Sequence, residues 1–158
     1  LSRRQRQMCI RDRYNVSYIV GLFGEPNQAK YTANMERGID TSGILTMDYS
    51  GFKAVSIAAK DCAAPARYII QGTKGYIMQK STANCCGGIT FHPNGGKEEH
   101  YNLNGGRPRE AAEFETFARA MESGDQELCT RMQDTSIAVS RVLTVARRSA
   151  GIRFPGER

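Results

Sequence analysis

Residues 43–59, GILTMDYSGFKAVSIAA, contain two short apolar segments on either side of the dipeptide Ser50-Gly51. In the first segment every second residue is apolar and would lie on one face of a strand: Leu45, Met47 and Tyr49. Two such segments joined by a glycine-containing dipeptide predict a β-hairpin with strands over 43–49 and 52–59. This hairpin supplies two strands of the predicted sheet.

Sequence on both sides of the hairpin extends the sheet. Residues 28–36 alternate loosely between apolar and polar side chains and predict one more strand. Hairpins are also predicted around Gly72–Gly75 and around Pro93–Gly96, where glycine-containing turns separate short β-type segments. The strand pattern ends near residue 102.

Apolar residues at helical spacing predict three helices outside the strands. The first carries Val16, Ile19, Val20 and Phe23 and ends at Gly24-Glu25-Pro26. The second begins at Pro108, carries an apolar stripe of Phe114, Phe117, Ala118 and Met121, and ends before Gly124. The third follows Asp125 as its cap, carries Leu128, Met132, Val139, Val142, Leu143 and Ala146, and ends at Gly151. Strands followed by helices predict an α+β fold with an open, mainly antiparallel β-sheet and helices packed on one face.

The positive charge of the chain is concentrated at its start. The 158 residues carry a formal net charge of +6, of which residues 1–13 contribute +4 through five arginines and one aspartate. This leader lacks an apolar period, and its segment Met8–Arg13, MCIRDR, resembles the translated end of a transposase sequencing adapter. We therefore expect residues 1–13 to be a non-native basic leader and residues 14–158 to form one domain. A basic arm that contacts the phosphates of a nucleic acid is the alternative interpretation.

The composition is untypical of membrane-spanning and of secreted, disulfide-rich proteins. No stretch approaches the roughly 18 apolar residues that a membrane helix needs. The five cysteines lack the paired spacing and the density of a disulfide scaffold: Cys9, Cys62, Cys85, Cys86 and Cys129. Reduced thiols in a cytoplasmic protein are therefore expected.

No local motif supplies a phosphate cradle or a nucleophile with its base. Gly21–Gly24 and Gly72–Gly75 each contain two glycines, but neither matches G-x-G-x-x-G or the P-loop. The second of these lies between two predicted strands, where a turn explains both glycines. No G-x-S-x-G or local Cys-His pattern is present.

The histidines and the adjacent cysteines do not predict a metal site. A turn at Asn94-Gly95 would separate the histidines, placing His92 opposite Lys97 and His100 opposite Ile89. Cys85 and Cys86 would point to opposite sides of an extended chain. We therefore expect surface histidines and small buried thiols, because a metal needs three or four converging ligands.

Five segments stand in an order that is typical of one family. They are Tyr14-Asn15-Val16-Ser17-Tyr18-Ile19 leading to Leu22-Phe23-Gly24-Glu25-Pro26; Gly38-Ile39-Asp40-Thr41 leading to Asp48-Tyr49; Ile70–Ile77 with Gly72-Thr73-Lys74-Gly75; Glu113–Asp125; and Val142–Pro155. Together they resemble the C-terminal domain of the glucose–fructose oxidoreductase/inositol dehydrogenase (Gfo/Idh/MocA) family, most of all its dihydrodiol dehydrogenase-like branch. The resemblance covers essentially residues 14–158.

The resemblance implies an N-terminally truncated chain that carries the second domain of a two-domain enzyme, with the Rossmann domain absent. The parent protein would transfer a hydride between NAD or NADP and a sugar, polyol or related hydroxy substrate. The sheet of this domain would cover the substrate and mediate homo-oligomerisation, with no nucleic-acid or membrane partner. This chain alone is expected to be inactive and to bind no cofactor. A stand-alone dimerisation domain, or a nucleic-acid-binding module with a basic arm, is the alternative interpretation.

The resemblance also implies one catalytic residue. Tyr14 falls at the last position of the family motif D-x-G-x-[HY], whose final residue exchanges a proton with the substrate hydroxyl. The Asp and the Gly of that motif would fall at positions that hold Ile10 and Asp12 here, so the motif is incomplete. A phenol ionises well above neutrality, and the resemblance assigns the cation that this role needs to a lysine outside this chain. Tyr14 is therefore expected as a remnant acid/base, and no cofactor-binding or metal-binding residue is predicted.

Overall fold

The computed structural model describes residues 7–102, 104–108, 110–154 and 157, with side chains from Asp12 onward. The described elements, in chain order, are α1 (Gln7–Phe23), β1 (Gln28–Glu36), β2 (Ile39–Asp48), β3 (Lys53–Ala59), β4 (Tyr68–Gly72), β5 (Gly75–Gln79), β6 (Ile89–Pro93), β7 (Glu99–Tyr101), α2 (Ala111–Ser123) and α3 (Gln126–Ser149). They belong to two compact units: one contains the residues up to 63 and from 126 onward, and the other contains residues 64–125. All described strand pairs are antiparallel, so the predicted α+β class is confirmed.

The first unit contains a three-stranded sheet in the order β1-β2-β3. The predicted hairpin around Ser50-Gly51 is confirmed, since Asp48 pairs with Lys53. Helices α1 and α3 pack on one face of the sheet, because alternate strand residues present apolar side chains to that face. The core between them consists of Val16, Val20, Tyr31, Leu45, Met47, Val139, Val142, Ala146 and Ile152.

A β-bulge at Thr41 changes which residues of β2 face the helices. Asn34 pairs with Ser42, but the next residue, Met35, pairs with Asp40, so that Thr41 is an extra residue on β2. Asp40 therefore lies on the buried face of the sheet. The regular alternation of a strand without the bulge would have exposed it.

The predicted ends of α1 and α3 are confirmed. Gly24, after the last residue of α1, has a φ of 77°, which glycine adopts without a steric cost. Its carbonyl oxygen accepts a hydrogen bond from the Tyr49 hydroxyl (2.9 Å). Gly151 follows α3 with a φ of 71°, whereas Pro155, which belongs to the last segment of the family resemblance, lies outside the described residues.

The chain beyond α3 is held by the buried Arg147. Its guanidinium donates hydrogen bonds to the Ile152 carbonyl oxygen (2.8 Å) and to Glu157 Oε2 (2.6 Å), and lies 4.0 Å from the centroid of the Phe154 ring. The backbone N–H of Phe154 also donates to Glu157 Oε2 (3.0 Å). The hydrogen bonds from Arg147 and from the Phe154 backbone lower the pKa of Glu157 to about 2.

The second unit contains a four-stranded sheet in the order β4-β5-β6-β7 and the helix α2. The predicted start of α2 at Pro108 is wrong, because the helix begins at Ala111 after the N-cap residue Glu110. Pro108 instead belongs to a preceding turn, in which its carbonyl oxygen accepts a hydrogen bond from the Ala111 N–H (3.1 Å).

The apolar faces predicted for the last two helices are buried to different extents. On α3, Val139, Val142 and Ala146 lie in the core, whereas Met132 is exposed. On α2, the members of the predicted stripe are all exposed: Phe114, Phe117, Ala118 and Met121. The helices that pack against the first sheet are therefore α1 and α3.

Candidate functional site

Tyr14, the predicted acid/base, lies on the exposed side of α1. Each residue of an α-helix advances about 100° around the axis, so residues four apart share a face. Asp12, Val16 and Val20 face the sheet and are buried, whereas the Tyr14 side chain is 53% exposed. The structure therefore leaves Tyr14 facing solvent, on the opposite side of α1 from the buried acids. The helix also crosses the predicted boundary after residue 13, while residues 1–6 of the leader lie outside the described part.

Beneath α1, two carboxylates and a phenol form a buried polar cluster that the sequence reasoning missed. Asp12 and Asp40 are 1% and 0% exposed, and Tyr31, a residue of β1, is 2% exposed. The Tyr31 hydroxyl donates to Asp40 Oδ2 (3.3 Å). Among the described residues, neither oxygen of the Asp12 carboxylate has a hydrogen-bond partner. The cluster therefore contains one carboxylate that the fold holds by hydrogen bonding and one that it does not.

The position of the Tyr31 ring depends on a glycine. A Cβ added to Gly43 would lie 2.5 Å from the end of the Tyr31 ring. The absence of a side chain at this buried position lets the ring lie flat across β2 and bring its hydroxyl to Asp40. The lack of a side chain at Gly43 is thus required for the observed position of the Tyr31 phenol.

The two buried acids strongly perturb proton binding in the cluster. Burial, and next the negative charge of Asp40, raise the pKa of the Asp12 carboxyl to about 7, although the positive charge of Lys60 opposes this shift. Burial, with the charges of Asp12 and Asp40, also raises the pKa of the Tyr31 phenol. Asp12 is therefore about half protonated near neutral pH.

A carboxylic acid with a pKa near 7 suits general acid–base chemistry, but this one is closed to a substrate. Catalysis needs the group within hydrogen-bonding reach of a reacting atom. Asp12 is 1% exposed beneath its own helix, so a small molecule cannot approach it in this conformation. The cluster therefore governs stability and its pH dependence rather than a reaction.

The signal that could have revealed the cluster was present but incomplete. In the sequence, Gly38-Ile39-Asp40-Thr41 indicates only the family resemblance. A regular strand through this segment would expose Asp40, so its burial is not predicted. The bulge that buries Asp40 has no clear pattern in the sequence. Asp12, in a leader that lacks an apolar period, gave no sign of burial.

The glycine-rich turns do not fit a nicotinamide dinucleotide. The pyrophosphate of such a cofactor needs a glycine turn between a strand and the start of a helix. Gly72–Gly75 instead joins β4 to β5, and a Cβ on Gly75 would lie 2.2 Å from the His92 carbonyl oxygen, so packing of strands explains that glycine. Gly21–Gly24 lies at the end of α1.

The predicted register of the third hairpin is wrong by one residue. His100 pairs with Thr90, so that His92 and His100 share one face of the sheet, and Glu98 Oε1 lies 2.9 Å from His92 Nδ1. Asn94 and Gly95 do form a turn, in which the Gly96 N–H donates to the Pro93 carbonyl oxygen (3.3 Å), but Phe91 then pairs with Glu99, one residue later than predicted. The Asn94 backbone N–H and side-chain amide also donate to the β4–β5 turn, at the carbonyl oxygens of Lys74 (3.0 Å) and Thr73 (2.9 Å) respectively.

The cysteines and histidines differ from expectation in exposure. Cys85 and Cys86 are exposed, so the prediction of buried thiols is wrong for this pair, and Cys62 and Cys129 are exposed as well. His100 is exposed as predicted, but the His92 side chain is only 13% exposed, because its ring stacks on Tyr76 with centroids 4.2 Å apart. In the described part of the chain, no three His, Cys, Asp or Glu side chains are grouped so that they could hold a metal ion.

Comparisons with known proteins connect the chain to oxidoreductases. No family model matches it. Over 91% of its length it is 28% identical to YgjR, an uncharacterised oxidoreductase of Escherichia coli K12. Over 91% of its length it is also 25% identical to the scyllo-inositol 2-dehydrogenase (NADP(+)) IolU of Bacillus subtilis 168. The chain spans less than half of these curated relatives, 43% and 44% respectively.

Two solved structures share the fold at low sequence identity. A Klebsiella pneumoniae protein assigned as an oxidoreductase is 14% identical, with a TM-score of 0.67, over 96% of this chain and 49% of that protein. Bacillus subtilis YvaA, assigned likewise, is 14% identical with a TM-score of 0.60, over 89% of this chain and 48% of YvaA. Of the described helices, none is long and apolar enough to span a membrane.

Proposed function

We propose that this chain, a relative of the Gfo/Idh/MocA-type oxidoreductases, is the substrate-side domain of an NAD(P)-dependent dehydrogenase. The observation that carries the proposal is the similarity to IolU over 91% of the chain but only 44% of IolU. In the parent protein the nicotinamide would accept or donate the hydride, and the substrate would be a sugar, polyol or related hydroxy compound. The other half of the parent would bind the cofactor, which agrees with the poor fit of the described glycine turns. We also propose that the parent protein is located in the cytoplasm.

Within this proposal Tyr14 is the acid/base that exchanges a proton with the substrate hydroxyl. Its exposure on the outer side of α1 supports the role, because a group that meets a substrate at a domain junction has to be accessible. Tyr18, one turn further along α1, is half-buried and serves as the matched control.

We also propose that residues 1–13 are not native to this domain, which would then span residues 14–158. The family motif has glycine at the position of Asp12, and here a carboxylate is buried at that position without a hydrogen-bond partner in the described chain. Burial of a carboxylate without hydrogen bonds is costly, whereas a glycine would add no polar atom. The electrostatics of the site therefore favour the residue of the motif over aspartate.

The outer face of the first sheet is the proposed surface for self-association. Ile44, Val55 and Ile57 lie there with 44%, 55% and 72% exposure. Because Ile44 pairs with Ile57 and lies diagonally across from Val55, the three side chains form one apolar patch. Light scattering should detect a dimer or larger oligomer that Ile57→Lys dissociates. Met121→Lys, at an exposed apolar residue of α2, is the control and should leave the oligomer intact.

Two experiments test the enzymatic proposal. A titration of the 158-residue chain with NADH and with NADPH, followed by nicotinamide fluorescence, should detect no saturable binding up to millimolar concentration. Micromolar affinity would contradict the assignment of the cofactor to the other half.

The second experiment uses the coding sequence upstream of Tyr14 at the same locus. We expect it to encode a strand followed by G-x-G-x-x-G, then E-K-P, then D-x-G-x with Tyr14 as the final residue. The parent protein should reduce NAD or NADP with a polyol such as scyllo-inositol, and Tyr14→Phe should lower kcat by about 100-fold or more, since general acid–base groups contribute 10²–10⁴-fold. Tyr18→Phe should not lower it, and equal losses from both variants would remove Tyr14 from the reaction.

A further inference from the structure

Cys85 and Cys86 are consecutive, and both are exposed on the loop that joins β5 to β6. The other exposed cysteines, Cys62 and Cys129, are single in the sequence. The chain therefore presents one vicinal dithiol and two isolated thiols of comparable exposure. This arrangement allows the pair to be compared with single thiols of the same molecule.

Hydrogen bonds on both sides of the pair hold its backbone. The buried Gln79 donates from Nε2 to the Thr82 carbonyl oxygen (3.1 Å), and the Cys85 N–H donates to the same oxygen (3.0 Å). On the other side, the Asn104 side-chain amide donates to the Cys86 carbonyl oxygen. Binding at the thiols therefore has to order only the two side chains, which keeps its entropic cost low.

The geometry of neighbouring residues favours a bridged pair over a direct disulfide. Consecutive Cα atoms are about 3.8 Å apart across a trans peptide, and the described chain contains no cis peptide bond. Disulfides usually join Cα atoms about 4.4–6.8 Å apart, so a bond between Cys85 and Cys86 would be strained. An atom inserted between the two sulfurs lengthens the bridge and relieves this strain. The pair thus remains available as a dithiol in a reducing environment.

We propose that Cys85 and Cys86 form a site that chelates trivalent arsenic in organoarsenicals. Soft thiolate sulfur prefers soft ions, and an organoarsenous acid offers two exchangeable hydroxyl groups on one arsenic atom. Each thiol proton leaves with one arsenic hydroxide as water, while two As–O bonds break and two As–S bonds form. Arsenic stays trivalent throughout, so the step needs neither an oxidant nor a reductant.

The test uses phenylarsine oxide and intact-protein mass spectrometry on the full chain. All variants carry Cys9→Ser, so that only the four exposed thiols are compared. With a millimolar monothiol present to remove single-thiol adducts, the parent variant should retain one phenylarsenic group per chain. Adding Cys85→Ser or Cys86→Ser should lower the affinity by about 100-fold or more, since each removes one arm of a two-point attachment.

Cys62→Ser and Cys129→Ser are the matched controls and should retain the adduct at full affinity. Cys85 and Cys86 are both exposed in their loop, so the circular dichroism spectra of all variants are expected to be the same. Retention of the adduct by Cys85→Ser, or its loss from Cys62→Ser or Cys129→Ser, would overturn the proposal. Rapid closure of an internal disulfide between Cys85 and Cys86 in air would also overturn it, because the pair would then not persist as a dithiol.

Discussion

Replacing Asp12 with asparagine should abolish a pH dependence that the buried carboxylate imposes on the stability of the chain. The pKa of Asp12 is raised from 3.8 to about 7 in the folded protein. Between these values the folded chain holds a proton that the unfolded chain has released, so its free energy of unfolding falls as pH rises. The stabilisation is complete below pH 3.8 and is lost once pH passes 7.

The magnitude follows from the size of the shift. A difference of about three pKa units corresponds to about 4 kcal/mol at 1.36 kcal/mol per unit. Because the loss begins at the pKa of the unfolded chain, about 3 kcal/mol of it falls between pH 5 and pH 8. Asparagine has nearly the same shape and no charge, so the stability of Asp12→Asn relative to the unsubstituted chain should rise by that amount between pH 5 and pH 8.

Urea unfolding at pH 5, 6, 7 and 8, followed by circular dichroism, measures the difference. Groups remote from Asp12 contribute equally to the two proteins and cancel in the comparison, whereas the electrostatic interactions of Asp12 with Asp40 and Tyr31 are part of the measured difference. Asp48→Asn is the control: Asp48 forms an exposed ion pair with Lys53 (2.7 Å), which contributes at most about 1 kcal/mol. Parallel pH profiles for Asp12→Asn and the unsubstituted chain would refute the reasoning, since Asp12 would then be hydrated or paired in solution.

Two further substitutions test other contacts of the first unit. Gly43→Ala should destabilise the chain by about 1–3 kcal/mol in urea unfolding, because its Cβ would collide with the Tyr31 ring. Gly21→Ala, at an open position in α1, should stabilise it by about 0.5–1 kcal/mol, and equal effects would contradict the packing argument. Glu157→Gln should destabilise the chain equally from pH 8 to pH 5, because the lowered pKa of Glu157 gives a stabilisation that is lost only as pH falls from 4.5 towards 2. If Glu157→Gln and the unsubstituted chain still differed in free energy of unfolding at pH 2, Arg147 would not act through the ionised form of Glu157.

Local patterns in the sequence predicted most elements of the fold because strands, turns and helix ends depend on near neighbours. The hairpin over residues 43–59 needs only its alternating apolar residues and the turn at Ser50-Gly51, and both are local. The end of α1 at Gly24 likewise follows from the conformational freedom of glycine. The predicted register of the third hairpin is wrong because its strands pair one residue later than a turn at Asn94-Gly95 implies, and no local pattern marks the extra residue between the turn and Glu99.

The buried acids could not be predicted because their burial depends on contacts between distant segments. Asp40 reaches the interior through a bulge opposite Asn34 and Met35, and the alternation within its own strand indicates the reverse. Asp12 is buried because Val16 and Val20 fix the rotation of α1 against the sheet. The proposed role of Tyr14 rests on the resemblance of its position to the last residue of a family motif, since its place on an exposed helix face has no chemistry of its own.

The rotation of α1 leads to a prediction about which part of the first unit opens first. Burial of Val16 and Val20 contributes about 1.5–3 kcal/mol each, and the hydrogen bond from Asn15 Nδ2 to Ser56 Oγ (2.9 Å) adds about 1 kcal/mol. These contributions hold Asp12 beneath the helix, because α1 cannot turn the carboxylate outward without exposing both valines. Above pH 7 the cost of the charged Asp12, about 4 kcal/mol, offsets much of that binding energy.

Helix α1 should therefore detach from the sheet at a lower free energy than α3 at pH 8, but not at pH 5. Native-state hydrogen exchange, corrected for the intrinsic pH dependence of the exchange reaction, measures the opening free energy of each helix. We expect protection of residues 16–20 to fall relative to residues 139–146 between these pH values, and Asp12→Asn to restore it. If both helices lose protection together at every pH, the cost of Asp12 is distributed over the whole unit, and the local account of α1 is wrong.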